Sequence, residues 1–191
     1  MEFKAENTDF TPDGIIWSTG KRKTYVNGKP STIYVPPESI LPTYQRLVEK
    51  GSVPLGIDHL SDEVIAENKI LAKMNLLDVG KAKRFGTDGK NIYLLEGEVT
   101  NQTIQELGLT GELPSYSSVG RFKSTECERQ DVDYVVTELD INRVDFVEQG
   151  GCRVCKVGSQ PDELILTSKL HHEVKEMVEK LTPQRSAQKK R

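Results

Sequence analysis

Long apolar runs are missing from this chain. Nothing in its 191 residues approaches the roughly 18 consecutive apolar positions that a membrane-crossing helix needs. The opening stretch, MEFKAENTDF, lacks the apolar centre of a secretory signal. Together these absences imply a protein with no membrane partner. Cysteine is scarce and odd in number, at three, which argues against a disulfide framework and for a reducing compartment, the cytosol by default. Neither sign of charge dominates: 26 Lys and Arg against 29 Asp and Glu leave a net of −3, so composition gives no ground for general nucleic-acid binding. Neither GxxxxGK[ST] nor H-E-x-x-H occurs, which removes the P-loop and zincin chemistries. Histidine is held to three residues, so chemistry that needs an imidazole has few positions to draw on.

What is present is a β-rich pattern interrupted by helices, with no internal repeat. Residues 1–14 are polar and expected to be flexible. From Ile15 to Val35 β-formers alternate with turn residues, Asn27-Gly28 marks a hairpin, and Pro36-Pro37 ends the run. Ser39–Lys50 has helical spacing, with Ile40, Leu41, Tyr44, Leu47 and Val48 on one face. Ser39 is placed to cap it, Pro42 falls in its first turn, and Gly51 follows its end. Val79–Phe85 and Ile92–Val99 flank Thr87-Asp88-Gly89-Lys90 as a second hairpin. Gln102–Leu107 reads as a short helix stopped by Gly108, and strands are expected over Val132–Ile141 and Val144–Val147.

Beyond about Gly158 the character changes. Ser168–Leu181 is amphipathic, with Leu170, Val174, Met177, Val178 and Leu181 in one stripe, and the remainder is basic and poor in apolar residues. The stripe suits packing against the preceding domain or docking on a partner. The expected organisation is a flexible 1–14, a domain over 15–158, and a helix with a basic tail over 159–191.

One stretch stands out chemically. Residues 112–121, ELPSYSSVGR, place Ser115, Ser117 and Ser118 where a strand usually carries Val or Ile. A serine hydroxyl becomes a nucleophile only beside a base. His171 and His172 lie side by side on the amphipathic helix, where solvent-facing positions are expected. His59 instead follows the short apolar run Val53, Leu55, Ile57, at a strand end bordering a loop, where a rigid scaffold presents reactive side chains. Alternation sends Ser117 and Ser118 to opposite strand faces, so only one of them can meet His59.

The segments PLGIDHL (54–60) and SSVGR (117–121) resemble the two signature blocks of viral capsid-maturation serine proteases, the tailed-phage prohead proteases and herpesvirus assemblins. The resemblance continues through STIYVPPESILPTYQRLVEKG (31–51), LLDVGKAKRF and TELDINRVDFVEQGGCRVCKV (137–157), covering roughly Ile15–Gly158. It implies an α+β, mainly β fold: a closed β-barrel surrounded by helices. It also implies a serine endopeptidase that cleaves scaffold protein and the major capsid protein precursor, and its own chain, inside the assembling prohead in the host cytoplasm. No metal or organic cofactor is implied, and self-association is.

The same resemblance makes Ser118 the nucleophile, in its Ser-Val-Gly element, with Ser117 the competitor, and His59 the general base. The residue orienting the base falls on the strand after the nucleophile strand, which offers Asp140 first, with Asp145 and Glu138 behind it. Arg143 stands near the position some members use for this role, and a guanidinium cannot accept a hydrogen bond. Asp58, beside His59, ranks low. Gly150 and Gly151 suit the oxyanion loop, and Arg121 suits a supporting place. Cys152-Arg-Val-Cys155 lacks the partners a zinc site needs and reads as buried small residues. Basic GKRK at 20–23 reads as a solvated patch. Two other classes fit the same residues: a non-catalytic capsid-assembly or scaffold-binding protein, and a hydrolase of small cytosolic substrates.

Overall fold

The computed structural model describes residues 9–60, 62–69, 79–125, 127 and 130–181. Of the stretch read as flexible, 1–8 lies outside the described residues, as does the basic tail from 182 onward. Residues 9–13 are bound to the body: Phe10 N–H donates to Gln105 Oε1 at 2.6 Å, and the carbonyls of Pro12 and Asp13 accept from Gly97 and Gly158.

Strand β1 (Gly14–Ser18) leads into β2 (Gly20–Val26) and β3 (Lys29–Val35). Asn27 and Gly28 adopt left-handed φ values of 50° and 76°. That is what a two-residue type I′ turn requires, and it sets Val26 opposite Lys29. After a short 3₁₀ turn, α1 (Ile40–Lys50) buries Ile40, Thr43, Tyr44, Leu47 and Val48. Gly51 (φ 79°) ends it, its N–H returning to Val48 O. Ser39 does not cap as expected; its hydroxyl donates to Pro36 O at 2.7 Å while its carbonyl accepts from Thr43 Oγ1.

Next come β4 (Val53–Ile57), a one-and-a-half-turn α2 (Asp62–Glu67), and the hairpin of β5 (Gly80–Thr87) with β6 (Asn91–Val99). Helix α3 (Gln102–Leu109) is capped by Asn101, whose side chain accepts from Ile104 N–H at 3.1 Å. Gly108, expected as its stop, lies inside it; a β-carbon there would enter the ring of Phe10, so the glycine serves packing rather than termination.

Strands β7 (Ser115–Thr125) and β8 (Tyr134–Val147) form the longest antiparallel pair. The two strands expected over 132–147 are one, with a bulge at Asn142 where Val119↔Arg143 gives way to Gly120↔Ile141. β9 (Leu166–Thr167) adds to β5 and runs into α4 (Ser168–Leu181). The Ser168 hydroxyl fastens α4 by accepting from Phe85 N–H at 2.8 Å and donating to Phe85 O at 3.1 Å. Leu170, Val174, Met177 and Val178 of the expected stripe stay exposed.

The sheet runs β1-β6-β5-β4-β8-β3-β2, with β7 on β8 and β9 on β5. One edge of β8 is shared end to end: its N-terminal part pairs in parallel with β3 and its C-terminal part in parallel with β4, while β7 takes the other edge. The sheet curls around Phe85, Tyr116, Phe146, Ile16 and Leu47, with α1 packed over β8 and β5. It does not close. The expected barrel ringed by helices would need a ladder between β7 and β1. That gap is crossed instead by isolated bridges, Gly14↔Val157 and Ser115↔Lys156, and by Tyr116 N–H to Cys155 O. The fold is an open, curled sheet flanked by a few helices.

The strip that crosses the gap carries a second departure. Cys152 and Cys155, expected as unbonded residues, form a disulfide across a tight turn, their Cα atoms 5.4 Å apart. Cys127 stands outside this disulfide.

Gly120 sits at the bulge, and a β-carbon there would run into the carbonyl of Asp140. Gly120→Ala therefore destabilises the fold by about 1–3 kcal/mol, read as a lower urea midpoint with the slope unchanged.

Candidate active site

Strand β4 carries the local sequence VPLGI and is clamped on both edges, by β5 and β8. Its register with β8 sets Gly56 beside Asp145 and Ile57 beside Phe146. The chain then leaves the sheet through Asp58 (φ 46°) and His59 (φ 56°), two adjacent non-glycine residues in the left-handed region. Such residues cost on the order of 1–3 kcal/mol each, and persist only where neighbours hold them. Here Asp58 N–H donates to Phe146 O at 3.0 Å, and His59 N–H donates to Asp145 Oδ2 at 2.8 Å.

Asp145 holds the imidazole as well as the backbone. His59 Nδ1 lies 3.0 Å from the same Oδ2. Arg143 completes the cluster with Nε at 2.6 Å from Oδ1 and a second guanidinium nitrogen at 3.0 Å from Oδ2. The carboxylate is fully buried while the imidazole is 49% exposed. Gly56 makes room for this: a β-carbon there would strike Asp145 Oδ1 and come within 2.8 Å of Arg143 Cδ. With Nδ1–H donating to the carboxylate, the Nε2 lone pair is left as an acceptor, which is the tautomer of a general base.

Asp140, the first choice for this orienting role, is elsewhere. It pairs with Lys50 and, at 3.8 Å, with Arg46 from α1. The hydrogen bond from Lys50 holds its carboxyl below the ordinary aspartate value. Glu138 pairs with Arg46 and Lys123. The acid that meets His59 is Asp145, the second choice. Arg143 does not orient the ring; it braces the acid that does.

The serines divide by register. Ser117 lies across from Asp145 and shares its face; Ser118 lies across from buried Val144, and its hydroxyl donates to Ile16 O at 2.8 Å. The Ser117 hydroxyl has no hydrogen-bond partner among the described residues. Ser115 is fully buried and accepts from Lys156 Nζ at 3.0 Å. A cavity of about 460 Å³ wraps the unpaired edge of β7, so that His59, Ser117, Ser118, Arg143 and Gly151 all line it. His171 and His172 stay on α4, where His171 stands edge-on to Tyr44 with ring centroids 6.2 Å apart.

Gly151 lines the cavity, with Gly150 just before it in the chain. A β-carbon at Gly150 would meet Tyr116 O at 2.8 Å, and one at Gly151 would meet Lys23 O at 2.6 Å. Only glycines let the loop lie this close to both β7 and β2. Among the described residues neither N–H has an acceptor. Arg121, expected in support, lies across from Asp140 further along β7.

Two features escaped the sequence reading. Gly56 was assigned no role although it lies within PLGIDHL, and Arg22, inside the supposedly solvated GKRK, is buried in the cavity wall. No protein family, curated protein or solved structure matches this chain.

Removing the Asp145 charge leaves the partly exposed Arg143 guanidinium without its carboxylate and frees the imidazole. Asp145→Asn is expected to cost about 1–3 kcal/mol in denaturant unfolding, the range for losing charge-assisted hydrogen bonds to a buried acceptor whose partners water still reaches. Asp140→Asn, on the surface, costs less than about 1 kcal/mol at neutral pH. Because the folded Asp140 carboxyl is depressed, its contribution is present above the unfolded carboxylate range and lost as pH falls through the folded value. The asparagine variant accordingly shows a shallower acid limb of stability. Gly56→Ala displaces the carboxylate, and the downfield His59 Nδ1–H proton resonance weakens or vanishes.

Proposed function

We propose that this chain is a serine endopeptidase of viral prohead maturation, cutting scaffold protein, the major capsid protein precursor and its own chain within the assembling capsid in the host cytoplasm. The observation that carries the peptidase reading is the buried Asp145 carboxylate bound to His59 Nδ1, in a cavity that Ser117 and Ser118 also line. The capsid setting rests on the resemblance of PLGIDHL and SSVGR to the prohead protease blocks.

In this reading His59 Nε2 takes the proton of the attacking serine as its oxygen bonds to the scissile carbonyl. Asp145 keeps the ring in the right tautomer and stabilises the imidazolium that forms. The N–H groups of Gly150 and Gly151 receive the oxyanion. The imidazolium then gives its proton to the departing amine, and a water repeats the sequence to release the acyl group.

The face shared with Asp145 makes Ser117 the nucleophile. Ser118 is the second reading, favoured by its place in Ser-Val-Gly. A passive scaffold-binding protein is the alternative class, favoured by the Ser118 hydroxyl being taken up by Ile16 O.

Fluorophosphonate labelling and tail trimming on co-expression with scaffold separate these. One serine is labelled, and His59→Ala together with alanine at that serine lowers cleavage by about a thousandfold or more, while the other Ser→Ala variant keeps it. Full cleavage by His59→Ala, or no labelled serine in a folded protein, overturns the peptidase reading.

A further inference from the structure

Arg22 is the anomaly of this cavity. Strand β2 alternates, and Lys21 and Lys23 are exposed while Arg22 faces inward beside Ile33 with 9% of its surface accessible. Its guanidinium stacks over the Trp17 ring at 4.5 Å and donates one hydrogen bond to Ser18 O. No carboxylate among the described residues pairs with it. Burial pulls its pKa down to about 10. A buried cation without an anion costs folding free energy that the Trp17 ring and one carbonyl offset only in part, so an anion reaching the free guanidinium donors would gain a charge-assisted hydrogen bond.

The surroundings extend the same sign. Lys23 lines the cavity with Arg22. Lys21 and Arg153 line an adjoining hollow of about 680 Å³, whose acid, Asp131, is bound by Lys21 at 2.8 Å. These cations gather at one place in a chain of net charge −3. Among the described residues the neighbouring edge of β7 has no strand partner beyond the strip at Ser115, so an extended peptide can add to it and send every second side chain to the face where Arg22 stands.

We propose that Arg22 is the specificity-determining residue of the cavity, holding the carboxylate of a Glu or Asp side chain close to the scissile bond of an acidic peptide segment. The planar fork of the guanidinium suits a carboxylate in two parallel hydrogen bonds, and the exposed lysines draw the rest of the acidic segment into the groove. This rests on the peptidase reading but names its substrate class.

The test is binding without turnover. Full-length His59→Ala protein is titrated by fluorescence anisotropy with labelled octapeptides that differ only in Glu or Gln at one position, scanned along the peptide. At one position Glu binds about tenfold tighter or more, and Arg22→Gln removes that ratio. The triple Lys21→Gln, Lys23→Gln, Arg153→Gln variant weakens all acidic peptides in a salt-dependent way yet keeps it. Equal binding of every Glu and Gln pair overturns the proposal, as does a ratio that survives in Arg22→Gln or vanishes in the triple variant. If Arg22→Gln fails to fold by circular dichroism, Arg22→Lys serves: the ratio falls by about threefold or more with the fork removed, and an unchanged ratio overturns the assignment. A protein that prefers Glu peptides but never cleaves them sinks the peptidase reading alone; an active peptidase indifferent to Glu sinks this one alone.

Discussion

One buried carboxylate organises the centre of this molecule. Asp145 has no exposure to water, and an ionised carboxylate in that position is tolerable only when donors surround it. Arg143 supplies two, the His59 backbone a third and the His59 ring a fourth. The strained pair Asp58-His59 makes sense in this light, since the left-handed turn is what brings both His59 groups onto the same oxygen. Gly56 and the parallel register of β4 with β8 follow from the same demand for space and alignment.

The parts of the fold legible in sequence were those fixed by local chemistry. Asn27-Gly28 dictates a turn whose left-handed residues set strand pairing without outside help, and Gly51 ends its helix for a similar reason. Gly108 misled because its role is set by Phe10, far away in the chain. His59 and the serine stretch were legible as candidates from residue type. The choice among Asp140, Asp145 and Glu138 was not, because a bulge at Asn142 resets the alternation of β8 between Asp140 and Asp145. Lys50 and Arg46 decide where Asp140 goes, and both belong to a helix that the strand pattern says nothing about. Arg22 was within reach: the Asn27-Gly28 turn pairs it with Ile33, and a basic residue opposite a core isoleucine is a warning.

The failure of the sheet to close is equally local in origin. Between β1 and β7 the chain inserts the 155–157 strip, tied by the Cys152–Cys155 bond and preceded by the glycine pair. The cavity that His59, Ser117 and Ser118 line lies beside this strip, with Gly151 and Cys152 in its lining. The curled sheet thus supplies most of the cavity's lining from β1, β2, β3, β7 and β8, and the loop carrying Gly151 and Cys152 supplies the rest together with His59.

The shared edge of β8 also sets an order of events during synthesis. β3 and β4 never pair with each other; beyond their neighbours β2 and β5, both need a strand that emerges about eighty residues after the histidine. Until residues 143–147 leave the ribosome, the imidazole has neither its acid nor its turn, and the serines lack a scaffold. The cluster of His59, Arg143 and Asp145 therefore forms only after most of the chain has been translated.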